Sequence, residues 1–251
     1  MKTPEWSPPA QPGNALFIPA ARPGGPLVVV LPGAYGTPDD VVEQGLAEML
    51  AVRHPSANLL ALPVDPLAVT QGVALDRLTA ELAPWCELFG PVWLVGISLG
   101  ALLVLAYLAE KGEGVRGAVA LTPYLGSRAL EQDIRRAGGP AAWAGNQRPD
   151  WDARHLEERV WHWLAGGGAQ RVPVMLGLAK SDRFHSSQQL ASGCWPAERC
   201  FSVAGGHDWA AWRALWGAWL DRVQSLDKGR DEAPTPATEP VVVRPLRAAA
   251  W

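Results

Sequence analysis

Cysteine is scarce in this chain of 251 residues: it has only Cys86, Cys194 and Cys200, and none forms a CxxC pair. An odd number without an export signal fits reduced thiols in a cytoplasmic protein, with a Cys194–Cys200 bridge left open. An excess of charge of one sign is also missing. A formal net charge of -3 with 19% charged residues gives no reason to expect nucleic acid or an anionic membrane as a partner. The opening MKTPEWSPPAQPG has no basic region followed by an apolar run, so it does not read as a secretory signal. The histidines show no HExxH or other metal-ligand spacing, and there is no Walker A loop and no dinucleotide fingerprint. GGGAQ at 166–170 reads as a helix terminator with nothing to cradle phosphate. No metal and no cofactor is expected, and no internal repeat is present.

Apolar sequence is plentiful. Hydrophobic residues make up 48% of the chain, enough for the core of one α/β domain or two small ones. Apolar runs at 27–31, 59–62, 92–95, 118–121, 174–178 and 201–203 alternate with stretches at helical spacing, and 16–18 is a candidate edge strand. This pattern points to a mostly parallel sheet of about six to seven strands with helices on both faces. TPDD at 37–40 offers Thr37 as N-cap, Pro38 as first helical residue and Asp40 bonding back to the cap. The spacing then predicts a helix with Val42, Leu46, Met49 and Leu50 on one face, stopping near His54 ahead of Pro55. A later helix places Leu75, Leu78 and Leu82 on one stripe. The last places Trp209, Trp212, Trp216, Trp219, Leu220 and Val223 on another, which reads as core packing rather than an aromatic binding box.

Between 123 and 170 the alternation lapses. SRALEQDIRRAGG and WDARHLEERVWHWLAGGG read as two helices closed by glycines, placed where an inserted cap would lie between two strands. Leu156, Val160, Trp163 and Leu164 share a face that would pack such a cap onto the body. The expected organisation is a proline-rich segment at 1–24 and a domain at 25–227 with its cap at 123–170. A tail at 228–251 follows, begun by KGRDEAPTPATEP, with the composition of a disordered segment. VVV at 241–243 could pair with a sheet edge.

Residues 88–109 contain no charge and are long enough to span a bilayer. No second segment approaches a span, the flanks lack a basic cluster, and the stretch divides into a strand-like half at 91–95 and a helix-forming half at 99–109. Both halves are apolar in the way buried parallel strands and their following helices are. Between them stands GISLG, with Ser98 flanked by Gly96 and Gly100. A strand, a sharp turn and a helix raise Ser98 clear of the sheet, with the glycines admitting close backbone approach. The Leu99 amide at the helix start would point toward a developing oxyanion.

These features resemble the α/β-hydrolase superfamily, over about residues 27–223. That family orders its triad as nucleophile, acid, histidine after successive strands. The resemblance implies Ser98 as nucleophile, Asp182 in VMLGLAKSDRF as acid, and His207 in FSVAGGHDWAAW as base. Asp65, after an earlier strand, and Asp208, beside the histidine, are the rival acids, and Asp208 could instead cap the last helix. The GGHDW…W wording is similar to the esterase branch that includes enterochelin-esterase-like enzymes. That branch has a further glycine after GxSxG where this chain has Ala101. The resemblance also implies a second oxyanion donor in the loop LPGAYGT, on the amide of Ala34 or next of Tyr35; many relatives have His-Gly there, this chain Pro32-Gly33. Trp143, Trp151, Trp161 and Trp163 in the presumed cap either pack it or line an acyl pocket. The implied activity is hydrolysis of a small-molecule carboxylic ester or thioester through an acyl-enzyme on Ser98. Acyl transfer by the same residues and a non-catalytic binding role on the same scaffold are the alternatives.

Overall fold

The computed structural model describes residues 14–146, 150–223 and 226. Most of the proline-rich start, and the tail expected at 228–251 with its VVV run, lie outside the described residues. Seven strands form one sheet: β1 (Leu16–Ile18), β2 (Leu27–Leu31), β3 (Asn58–Ala61), β4 (Val92–Ile97), β5 (Val115–Leu121), β6 (Val174–Ala179) and β7 (Cys200–Val203). They stand side by side in the order β1-β3-β2-β4-β5-β6-β7. All neighbours run parallel except β1, which pairs antiparallel with β3. β1 falls inside the segment expected at 1–24, so the sheet begins ahead of residue 25.

The helices are α1 (Pro38–Glu43), α2 (Leu46–Arg53), α3 (Pro66–Thr70), α4 (Ala74–Phe89), α5 (Leu99–Glu110), α6 (Arg128–Arg136), α7 (Pro140–Asn146), α8 (Leu156–Ala165), α9 (Gly168–Arg171), α10 (His185–Ser192) and α11 (Trp209–Arg222). Strands that pair in parallel are joined by crossovers, so helices cover both faces and the strands turn apolar throughout. All five residues of β2 are buried. Leu27, Val29 and Leu31 face the layer that contains α4 and α5, while Val28 and Val30 face the layer of α2 and α11. α5 is buried along Leu99 to Leu108 because the sheet, α4 and α8 surround it. The uncharged stretch at 88–109 is thus the end of α4, then β4, then α5. Among the described residues no helix is long and apolar enough to cross a membrane.

Two expectations need correction. The helix foreseen from Thr37 to His54 is broken at Gly45, whose φ of 75 suits a residue without a Cβ. The Thr37–Asp40 capping box forms, but the short α1 it starts buries Val41 and leaves Val42 exposed. α2 then restarts in a new phase on Leu46 and Leu50. The insertion, in turn, holds four helices among the described residues rather than the two expected. Its α8 packs along α5, with α7 on α8 and α6 on α7, so most of it stands beside the body. Four short helices have too little surface to bury their own apolar stripes, and α5 offers the nearest apolar wall.

Chain order places the site. From β2 the chain moves outward to β3, then returns to β4 on the other side of β2. Such a switch point opens a crevice beyond the carboxyl ends of the two strands. The turn after β2 and the turn after β4 both end there.

Candidate active site

Ser98 is the one residue between β4 and α5, at φ 54 and ψ -113. A non-glycine residue in this region costs on the order of 1–3 kcal/mol, so other contacts must hold it. Its N–H donates to the Leu121 carbonyl at 3.0 Å, and its carbonyl accepts from the amides of Tyr124, Ala101 and Leu102 at 3.0–3.2 Å. At about 1 kcal/mol net for each bond, this set offsets the strain.

The two glycines are required by close approach. A Cβ on Gly96 would stand 2.4 Å from the Ala101 Cα, and one on Gly100 would stand 2.1 Å from the Leu31 carbonyl oxygen and 2.5 Å from that of Pro32. Gly100→Ala is therefore expected to destabilise the protein by about 1–3 kcal/mol or more, since rigid backbone must move. An unchanged urea-denaturation midpoint would contradict this close packing of α5 on the end of β2.

Asp182 follows β6 and His207 follows β7, and both side chains reach the crevice. The His207 Nδ1 lies 2.7 Å from Asp182 Oδ2, and its Nε2 lies 2.8 Å from Ser98 Oγ. The Asp182 side chain is fully buried and that of His207 is 6% exposed. Asp182 Oδ1 accepts the Phe184 amide at 2.7 Å. An ionised carboxylate only accepts, so Nδ1 carries the ring proton and Nε2 is free to take the Ser98 hydroxyl proton. The imidazole is held edge-on between Phe184 (5.0 Å, 89°) and Trp212 (5.2 Å, 87°). Trp212 is itself fixed by its Nε1–H donating to Thr122 Oγ1 at 2.8 Å. Thr122 is the other described non-glycine residue with positive φ, and it is fully buried.

The rival acids are committed elsewhere. Asp65 caps α3 through the Leu67 amide and pairs with Arg77. Asp208 caps α11 through the Ala211 amide at 2.9 Å. The three cysteines are free, and among the described residues no group of three His, Cys, Asp or Glu side chains is arranged to hold a metal.

A pocket of about 290 Å³ opens over Ser98, walled by the loop Gly33–Gly36, by Arg183, and by His207, Asp208, Trp209 and Trp212. A Cβ on Gly33 would lie 3.4 Å from the Ser98 Cβ, so this loop passes directly beside the hydroxyl. Ala34 is half-buried, whereas the Tyr35 side chain is 95% exposed. Leu99 is the first residue of α5, where an amide has no intrahelical acceptor.

The four insertion tryptophans do not line this pocket. Trp161 is buried and donates to the Leu125 carbonyl at 2.7 Å. Trp143 stacks on Trp151 at 5.9 Å, and Trp151 meets the edge of His162. Trp163 lies against Gly168. They tie the insertion together and, through Leu125, to the segment after β5. The aromatic walls at Ser98 are instead Trp209 and Trp212, read from sequence as part of a core stripe. That stripe does reach the core with Trp216 and Trp219, but its first turn begins two residues after His207 and so opens on the crevice. The position of Trp209 beside His207 was the available signal. Arg183, Phe184, Thr122 and Tyr124 carried none.

Neither a family model nor a curated protein matches the sequence. Solved structures do match. The fluorophosphonate-binding serine hydrolase F of Staphylococcus aureus, substrate bound, gives a TM-score of 0.57 at 13% identity, covering 82% of this chain and 84% of its own. A monoacylglycerol lipase from Paleococcus ferrophilus gives 0.57 at 15% identity, over 85% of this chain and 98% of its own. Est1E from Butyrivibrio proteoclasticus, with ferulic acid bound, gives 0.55 at 14% identity over 84% and 92%. At these identities the likeness is one of fold: the chain has the α/β-hydrolase fold.

Proposed function

We propose that the protein is a serine hydrolase that cleaves a small-molecule carboxylic ester or thioester through an acyl-enzyme on Ser98. The observation that carries this reading is the unbroken hydrogen-bonded line from Asp182 through His207 to the Ser98 hydroxyl, ending at a strained turn in the crevice. A hydroxyl attacks poorly until its proton is removed, and His207 Nε2 is within reach to take it. Asp182 holds the proton on Nδ1 and stabilises the imidazolium that forms. The carbonyl oxygen becomes an oxyanion beside the start of α5, where the Leu99 amide and the Ala34 amide are the proposed donors, with Tyr35 the alternative to Ala34. His207 then gives its proton to the leaving alcohol or thiol. Water, deprotonated by the same imidazole, attacks the acyl carbon; the bond to Ser98 Oγ breaks, His207 returns the proton to that oxygen, and the acid is released. The solved neighbours whose names state serine hydrolase, lipase and esterase activity support this class of chemistry.

A fluorophosphonate probe tests the assignment. It should add one covalent phosphonyl group to the intact protein, with the modified peptide containing Ser98. An unlabelled protein, or a label on another residue, would refute Ser98 as nucleophile. A panel of aryl esters of graded acyl length run beside it measures the pocket.

A further inference from the structure

We propose that the substrate carries an acidic group, a carboxylate or a phosphate, bound by Arg183 and Arg128 in the cavity next to the triad; the inference rests on the ester-cleaving reading of the site. Arg183 walls two cavities at once. One is the pocket over Ser98. The other, of about 480 Å³, is bounded by the start of α6 with Arg128 and by Phe184 and Ser187. The Arg183 guanidinium carbon stands 4.8 Å above the Phe184 ring, and Phe184 in turn lies edge-on to His207. The cation is thus held one aromatic ring away from the imidazole, and stacking orients its plane.

The carboxylates around these walls are engaged by other groups. Asp182 accepts from His207 and the Phe184 amide. Asp208 caps α11, and Glu131 accepts from Arg135 and Ser186. Every carboxylate there already has donors. Among the described residues neither Arg183 nor Arg128 makes an ion pair or a hydrogen bond to protein. Two exposed guanidinium forks bonded to no carboxylate, Arg128 feeling the charge of Glu131 without pairing with it, match the two oxygens of a carboxylate or a phosphate. With Arg183 shared between the cavities, an ester carbonyl at Ser98 and an acid some atoms further along one molecule fit the two together.

The test compares three 4-nitrophenyl esters: the monoester of adipic acid, the same compound with its far carboxyl methylated, and the 6-phosphonooxyhexanoate. At low salt the acidic esters should show kcat/KM at least about tenfold above the methylated one, as one charge-assisted contact provides. Arg183→Gln and Arg128→Gln should each bring that ratio toward one. The carboxylate and phosphate arms tell which anion the site prefers. Comparable rates for acidic and methylated esters in the unaltered protein, or a ratio unmoved by both variants, overturns the proposal. Calorimetric binding of the same compounds to Ser98→Ala separates the two readings. If no ester is cleaved, tighter binding of the acids still supports the anion site, and equal binding sinks it.

Discussion

Replacing Ser98 by alanine is expected to lower kcat by a factor on the order of 10^6, the scale seen when a triad serine is removed. The substitution deletes the one atom placed to attack and leaves the rest of the site in position. The backbone around it is clamped by bonds from Leu121, Tyr124, Ala101 and Leu102 that do not involve the hydroxyl, so the fold should persist. A residual rate of about 10^3–10^4 over water would remain from the oxyanion donors and from binding. The measurement is steady-state turnover of the best aryl ester together with the far-ultraviolet dichroism of the same sample. A correctly folded variant that keeps most of its rate would remove Ser98 from the chemistry. Stability gives a second reading of the same position. Alanine keeps the cost of φ 54, whereas Ser98→Gly relieves it. The glycine variant should therefore be inactive yet melt above the alanine variant, with the strain stored at the turn that presents the hydroxyl.

Much of this arrangement was legible in the residues because burial on both faces leaves a simple signature. The runs at 27–31 and 92–95 are apolar throughout since each strand is covered twice, and GISLG marks the point where strand becomes helix. The capping box at Thr37 was readable for a similar reason: it depends on two side chains three residues apart. Features that depend on distant packing were not readable. Nothing in the spacing of Val42 and Leu46 reports that the helix breaks at Gly45. Tryptophans at helical spacing look alike whether they face a sheet or a pocket, so the sequence leaves the insertion rings open between packing and pocket and reads Trp209 and Trp212 as core. Their roles follow from where each helix starts relative to the crevice. Arg183 was invisible for a different reason. Its relevance comes from making no ion pair or hydrogen bond among the described residues, and a missing partner shows only in three dimensions.

Asp182→Asn is the sharper test of the proton path, and the expected loss in kcat is about 10^4. The local hydrogen bonds decide which way the new amide must face. Oδ1 of Asp182 accepts the Phe184 amide at 2.7 Å, and only the oxygen of asparagine can take that role. Its NH2 group is then turned toward His207 Nδ1, in the place of Oδ2. The ring nitrogen that donated must now accept, so the ring proton shifts to Nε2. A protonated Nε2 has no lone pair for the Ser98 hydroxyl 2.8 Å away. The variant should look unchanged in structure and bind substrate with a similar affinity, while acylation and fluorophosphonate labelling both slow by a comparable factor. The loss should fall on kcat rather than KM, because ground-state contacts are kept and only the proton transfer is blocked. An asparagine variant that turns over within about tenfold of the original would mean that the carboxylate behind His207 does not set its tautomer. The hydrogen-bonded line would then be a structural brace, and some other group would have to activate Ser98.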